Sequence, residues 1–171
     1  MTTYSKDTVF KLKALGIYQL IFGIIAFAIT VAFLIRDGLH YMPVIALNAV
    51  IITLNLYGVF CGILCYQQRN HALQYSTVNQ YIQLVSFSIV GYGLKYVAGP
   101  ELYLGIDLTD GFMIRLNAQL LPIWNVQVGL NSNVILVNCN MVAMGVIIII
   151  DKLKKRIAAE EEMELLKIGM E

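Results

Sequence analysis

Four long segments without a charged side chain constrain the fold of this chain more than any other feature. These segments are residues 14–35, 41–68, 72–94 and 116–150. A helix rises 1.5 Å per residue, so about 20 apolar residues cross a hydrocarbon core ~30 Å thick. The sequence therefore predicts a protein that crosses a membrane four times. The predicted spans cover approximately residues 12–35, 42–66, 75–97 and 132–151.

Composition supports this interpretation and excludes one class of partner. Hydrophobic residues make up 58% of the chain and charged residues 13%, against about 25% charged in ordinary soluble domains. The net charge of +1 leaves no basic face to neutralise phosphates, which argues against nucleic acid. No Pro-, Ser- or Gly-rich linker divides the chain, so we predict a single membrane domain over residues 1–171.

The distribution of Lys and Arg predicts the orientation. In the four-span arrangement, nine of them fall on the side of the termini and three fall on the other side. The nine are Lys6, Lys11, Lys13, Arg69, Lys152, Lys154, Lys155, Arg156 and Lys167, and the three are Arg36, Lys95 and Arg115. Positive residues stay on the cytoplasmic side. We therefore expect a multi-pass protein of the cell inner (plasma) membrane with cytoplasmic N- and C-termini.

Between the third and fourth spans the apolar pattern changes to a period of two. Three runs of alternating residues, separated by Asp110-Gly111 and by Pro122, predict a three-stranded antiparallel β-meander over residues 101–130, outside the cytoplasm. A helix over residues 112–121 is the alternative. In the strand interpretation Ile114 and Leu116 face a covered side and Arg115 faces water. The cover is either the top of the bundle with lipid headgroups, or a partner protein or second copy.

The fold class predicted from these patterns is an all-α membrane protein. It comprises a four-transmembrane-helix bundle, the small extracytoplasmic meander between helices 3 and 4, and a cytoplasmic helical tail at residues 152–171. Small and polar residues recur along each predicted helix and would face the bundle interior, where amides can hydrogen-bond between helices. The candidate intrabundle polar residues are Asn48, Asn55, Gln80, Gln83, Ser88, Lys95 and Asn138.

Lys95 is the charge closest to an uncharged stretch, and two interpretations stay open for it. Its side chain can extend to the outer interface as an anchor, or it can serve a ligand or ion together with Gln80 or Ser88. Cys61 and Cys65 are interpreted as small packing residues. No hydrolase, metalloprotease, P-loop or haem pattern occurs. We therefore predict no catalytic residue, no metal, no cofactor and no enzyme activity.

Two short stretches carry a resemblance to a group of known proteins. Gly16-Ile17-Tyr18-Gln19 and the segment from Gly105 to Asp110 (GIDLTD), together with the general layout, resemble small four-span inner-membrane proteins of bacteria. This resemblance implies the location and architecture described above and no particular activity.

The function predicted from sequence is that of a non-catalytic accessory or scaffold protein that binds within or above the membrane. Its expected partners are membrane lipid and either a membrane protein or a second copy that binds through the outer sheet. The alternative is a passive channel, small-solute transporter or lipid-handling protein, in which the candidate polar residues face a cavity inside the bundle.

Overall fold

The computed structural model describes residues 4–37, 42–127 and 133–168, which fold into four helices and a six-stranded antiparallel sheet. The helices are α1 (Lys6–Asp37), α2 (Met42–Tyr66), α3 (Ala72–Leu84) and α4 (Met141–Ile168). The strands are β1 (Val85–Ile89), β2 (Tyr92–Val97), β3 (Glu101–Asp107), β4 (Met113–Gln119), β5 (Ile123–Gln127) and β6 (Ile135–Asn140).

Helices α1 and α2 form an antiparallel pair held by close backbone contact. A Cβ atom on Gly16 would lie 2.7 Å from the backbone nitrogen of Tyr66, and one on Gly62 would lie 2.7 Å from that of Leu20. Glycine is needed here because any larger residue would push the two helices apart. Within the described part of the chain, these are the two helices long and apolar enough to cross a membrane.

Helices α3 and α4 each join a strand without an intervening loop. Helix α3 ends at Leu84 and β1 begins at Val85, while β6 ends at Asn140 and α4 begins at Met141. The Asn140 side-chain oxygen accepts hydrogen bonds from the backbone nitrogens of Val142 (3.0 Å) and Ala143 (3.4 Å), which caps α4. Helices α3 and α4 pack against each other and β1 pairs with β6. The two changes between helix and strand therefore lie side by side.

The sheet has the strand order β4-β3-β6-β1-β2-β5. Strands β1 and β2 form a hairpin whose two-residue turn is Val90-Gly91, with φ angles of 46° and 83°. Two successive positive φ angles give the turn whose twist matches the flanking strands. Strands β3 and β4 form a second hairpin.

The prediction of an all-α bundle with four spans is wrong. Two helices, not four, meet the length and composition expected of a span, and residues 85–97 and 135–140 are strands. The absence of charge in residues 72–94 and 116–150 identified apolar segments but could not identify their secondary structure. Val85-Ser86-Phe87-Ser88-Ile89 has a period of two and is rich in residues that favour strands.

The predicted three-stranded meander is wrong in its pairing. Strands β3, β4 and β5 do lie within residues 101–130, of which 128–130 are outside the described residues. However, β5 pairs with β2 at the opposite edge of the sheet and not with β4. Strands β3, β6, β1 and β2 lie between the edge strands β4 and β5. The alternative helix over residues 112–121 is replaced by β4 and the start of the next connection.

The start of α1 and the C-terminal half of α4 meet at one end of the molecule, called here the basic end. Ser5 Oγ and Thr8 Oγ1 donate hydrogen bonds to Glu160 Oε1 at 2.6 and 2.8 Å, and the Ser5 backbone nitrogen donates to Oε2 at 3.1 Å. These hydrogen bonds, chiefly the one from the Ser5 side chain, lower the pKa of Glu160 to about 2. Arg156 pairs with Asp7 and Glu160. A charged carboxylate at a helix N-terminus is favourable.

Candidate functional site

Two groups of buried polar side chains lie among α1, α2, α3 and β2. Asn55 donates from Nδ2 to Thr30 Oγ1 at 3.0 Å and accepts at Oδ1 from the Tyr96 hydroxyl at 3.0 Å. Ser76 donates to Gln19 Oε1 at 3.2 Å and contacts the Cys65 sulfur at 3.1 Å. All of these residues are buried. The first group therefore joins α1 and α2 to β2, and the second joins α1, α2 and α3.

A small space between α1, α2 and α3, beside Gln19, is close to the volume of one water molecule. It measures about 10 Å³ and is lined by residues that include Gln19, Gly58, Asn79 and Gln80. A cavity needs roughly 10–15 Å³ to hold one water. Gln19 Nε2 is buried without a partner among the described residues, and a single water could satisfy it. The dimensions at this place do not suit a path for solutes.

The two faces of the sheet differ sharply in polarity. Pairing registers place one set of side chains together on the apolar face: Val85, Phe87, Ile89, Tyr92, Leu94, Tyr96, Leu102, Leu104, Ile106, Ile114, Leu116, Ala118, Trp124, Val126, Ile135, Val137 and Cys139. The opposite, polar face carries Ser86, Ser88, Gly93, Lys95, Glu101, Tyr103, Gly105, Asp107, Arg115, Asn117, Asn125, Gln127 and Asn138. On the polar face the carboxylates of Glu101 and Asp107 are buried, whereas the Arg115 side chain is exposed.

Two ion pairs lie on the polar face. Lys95 Nζ is 2.5 Å from Glu101 Oε1 and 4.8 Å from the ring centre of Tyr103. Arg115 is 2.5 Å from Asp107, which is also almost fully buried. Hydrogen bonds from Thr109, chiefly, and the Arg115 charge lower the pKa of Asp107. Lys95 on β2 and Glu101 on β3 bridge strands three places apart, so this pair ties the two halves of the sheet together.

A shallow cavity of about 130 Å³ lies beside the Lys95–Glu101 pair. Its polar lining includes Ser86, Ser88, Lys95, Gln127 and Asn138. Ser88 donates to Gln127 Oε1 at 2.9 Å, and Asn138 donates to Ser86 Oγ at 3.3 Å. Asn138 Oδ1 is buried without a partner among the described residues. Hydroxyl, amide and ammonium groups of this kind can hold water or a small polar solute.

The apolar face is largely exposed. Ile114 is 67% exposed and Leu116 is 69% exposed, and Phe87, Leu94, Leu104 and Val137 are exposed as well. Among the described residues, helices cover it at one corner, where Tyr96 and Trp124 pack against Ala26, Ile51 and Leu54. The prediction that the bundle covers Ile114 and Leu116 is therefore wrong. Arg115 is exposed, as predicted, and it also pairs with the buried carboxylate of Asp107.

The structure divides the predicted polar residues between two places. Asn48, Asn55, Gln80 and Gln83 are buried among the helices, where Gln83 also accepts a hydrogen bond from the backbone nitrogen of Ala98 at 3.0 Å. Ser88, Lys95 and Asn138 lie instead on the polar face of the sheet. They belong to strands, so they do not share one cavity with the helical residues as predicted.

The most important residue that the sequence analysis missed is Glu101, the partner of Lys95. Asp107, the partner of Arg115, was missed for the same reason. Both positions follow the same alternation as their neighbours, so the pattern could show that they share a face. It could not show that this face is buried, because burial depends on strand order.

Among residues 4–37, 42–127 and 133–168, no three His, Cys, Asp or Glu side chains are grouped so that they could hold a metal ion. Comparisons with protein-family models, with curated proteins and with solved structures give no match. The arguments about function therefore depend on the geometry described above.

Proposed function

We propose that the chain is a non-catalytic scaffold of the plasma membrane that acts by binding, and that it assembles with a second copy of itself through the open edge of β4. One observation carries this proposal. Strand β4 is seven residues long, six of them exposed, and in the described part of the chain it pairs on one side only, with β3. An exposed edge strand of this length is a template for pairing with another strand.

The direction of the free backbone groups on β4 follows from the register. The Leu108 nitrogen donates to the Ile135 oxygen at 2.8 Å, so the even-numbered residues of β3 bond towards β6. Hydrogen-bonded pairs alternate in antiparallel sheets, so the odd-numbered residues of β3 bond towards β4. The backbone groups of Ile114, Leu116 and Ala118 therefore point away from the sheet and are available to another strand.

The sequence of β4 suits pairing with itself. A two-fold axis through Leu116 would use all seven residues and place Arg115 opposite Asn117 of the second copy. Arg115 is the only charged residue of β4, so no like charges meet. The apolar side chains Ile114, Leu116 and Ala118 would continue the apolar face across both copies. A two-fold interface of this type is the commonest in soluble oligomers.

Disulfide cross-linking tests this arrangement directly. In the Leu116→Cys variant the two introduced thiols would lie opposite each other, with a Cα separation of about 5.5 Å, which suits a disulfide. We expect a covalent dimer after mild oxidation of the purified protein. Leu104→Cys on β3 is the matched control, since it lies on the same face one strand away from the edge. Equal cross-linking of both variants would indicate face-to-face stacking instead.

Two single proline substitutions in β4 distinguish a loss of dimerisation from a loss of folding. The Leu116 nitrogen points outwards, so Leu116→Pro should leave the β3–β4 hairpin intact and convert the dimer to a monomer in light scattering. The Asn117 nitrogen points towards β3, so Asn117→Pro should disrupt the fold itself. A wild-type protein that is monomeric in mild detergent, or a Leu116→Pro variant that stays dimeric, would overturn the proposal. Recovery of β4 cross-linked to a different protein would do the same.

The proposed orientation places the basic end in the cytoplasm. Contacts bring the start of α1, the α2–α3 turn and the second half of α4 to that end, where Lys13 lies 5.7 Å from the ring centre of Tyr66 and Arg156 pairs with Asp7. Nine of the 12 Lys and Arg residues lie in the first eight residues of α1, in the α2–α3 turn or in α4 from Lys152 onwards. Such an excess favours the cytoplasmic side. Asp110 lies in the β3–β4 turn, far along the sheet from this end.

Labelling of single introduced cysteines tests the orientation. We expect Asp110→Cys to react with an impermeant thiol reagent added to intact cells, and Glu162→Cys at the exposed side of α4 to react only after the cells are opened. The unsubstituted chain supplies the background from its own three cysteines, of which Cys61 and Cys65 are buried. The reverse labelling pattern would show that the basic end lies outside.

The space between the helices beside Gln19 and Gln80 does not favour the channel alternative, because it measures only about 10 Å³. We therefore propose assembly alone.

A further inference from the structure

A cavity of about 400 Å³ opens at the basic end, and neither the scaffold function nor the β4 edge uses it. The start of α1, the α2–α3 turn and α4 surround it. Its floor is apolar and includes Leu12, Leu73 and Ile157. Its volume lies within the range of roughly 300–1,000 Å³ that is usual for small-molecule sites.

The rim of this cavity carries more positive than negative charge. Arg69 and Lys154 line it, together with Glu161, which accepts a hydrogen bond from the Tyr4 hydroxyl at 3.2 Å. Lys154 donates to Thr77 Oγ1 at 2.8 Å, which holds its ammonium group in place. Arg69 is exposed, and the one hydrogen bond from its Nε is a long contact of 3.4 Å to Gln67. Its guanidinium fork is therefore available to a ligand.

The α2–α3 turn is shaped so that its polar residues face this cavity. Gln68 and His71 have φ angles of 56° and 64°, and such left-handed conformations are uncommon outside glycine. Arg69 lies between them and lines the cavity, as do Asn70 and His71. A planar guanidinium pairs with phosphate oxygens through two parallel hydrogen bonds, and an ammonium adds a point charge.

We propose that this cavity binds the phosphate-bearing headgroup of an anionic membrane lipid. Arg69 and Lys154 would contact the phosphate, and the apolar floor formed by Leu12, Leu73 and Ile157 would contact the glycerol and the first methylenes of the acyl chains. A free phosphate would share the first contact and gain nothing from the apolar floor. Basic pockets between helices on the cytoplasmic side suit anionic headgroups. Lys154 lies shortly after the apolar first part of α4, where such a headgroup would be within reach.

Binding of short-chain phosphatidylglycerol to the full chain in a neutral detergent tests the proposal, for example by native mass spectrometry. We expect a Kd at least tenfold lower than that of short-chain phosphatidylcholine, and no detectable binding of inorganic phosphate at the same concentrations. Arg69→Gln should raise the Kd for phosphatidylglycerol by about tenfold. Since Arg69 is exposed, folding should not change, which circular dichroism can check. Arg69→Gln with Lys154→Gln should raise the Kd further.

The matched control is Lys152→Gln with Lys155→Gln, which removes the same charge from exposed positions of α4 that do not line the cavity. We expect less than a twofold change in the Kd. An equal loss in the control would indicate general attraction to basic helices and would overturn the proposal. Equal affinity for phosphatidylcholine, or tight binding of inorganic phosphate alone, would also overturn it. None of these outcomes depends on the oligomeric state, so the β4 proposal is tested separately.

Discussion

Replacement of Glu101 by alanine is expected to lower the free energy of unfolding by about 3–5 kcal/mol, as breaking a buried ion pair usually does. Glu101 is 3% exposed, and the Lys95 side chain that it pairs with is 20% exposed. Without the carboxylate, the mostly buried ammonium group would lose its counter-ion. The Tyr103 ring at 4.8 Å offers a cation–π contact of only about 0.5–2 kcal/mol in its place. Chemical unfolding of the purified protein in detergent, followed by circular dichroism, would measure this loss.

The double variant Lys95→Met with Glu101→Leu shows whether the loss comes from an unpaired charge or from any change of side chain at these two positions. Removing both charges together leaves no uncompensated ion, and such replacements are often neutral or stabilising. We therefore expect the double variant to recover most of the loss. Asp110→Ala in the β3–β4 turn, an exposed carboxylate, should change the stability by less than about 0.5 kcal/mol. A loss below about 1 kcal/mol for Glu101→Ala would mean that the pair behaves as a solvated surface pair.

The second large effect is expected at the contact between α1 and α2. Gly62→Ala should lower the free energy of unfolding by about 1–3 kcal/mol, because overpacking a close contact forces backbone shifts. The added Cβ would lie 2.7 Å from the Leu20 nitrogen and 2.8 Å from the Gly16 oxygen. Both contacts are with backbone, so a side-chain rotation cannot relieve them. Thermal unfolding in detergent would measure the effect.

Gly145→Ala on α4 is the matched control and should have the opposite sign. No described atom lies within 4 Å of the Cβ it would add, so the substitution meets open space. Alanine in a helix interior is favoured over glycine by about 0.5–1 kcal/mol. We therefore expect Gly145→Ala to stabilise the protein slightly. A destabilisation of the same size at both glycines would contradict the close approach of α1 and α2.

Local sequence patterns were sufficient to find the two long helices and the strands after Gly99. Charge-free runs led to spans at residues 12–35 and 42–66, and the structure has helices at Lys6–Asp37 and Met42–Tyr66. Alternation led to strands within residues 101–130, where β3, β4 and β5 lie. The same charge criterion failed for residues 85–97 and 135–140, because it measures apolar content and not period. Ser86 and Ser88 alternate with apolar neighbours, a signal that was present but was interpreted as helical.

By itself the sequence determined which segments are apolar, which residues of β3, β4 and β5 share a face, and where the turns between those three strands fall, since these properties depend on neighbours in the chain. Only the tertiary structure decided that β5 pairs with β2, that β4 is left at an open edge, and that the polar face is the buried one. Strand pairing joins residues far apart in sequence, and a period of two is compatible with any strand order. The pairing of Lys95 with Glu101, the exposure of Leu116 and the cavity beside Arg69 all follow from that order and from helix packing, so no local pattern could have predicted them.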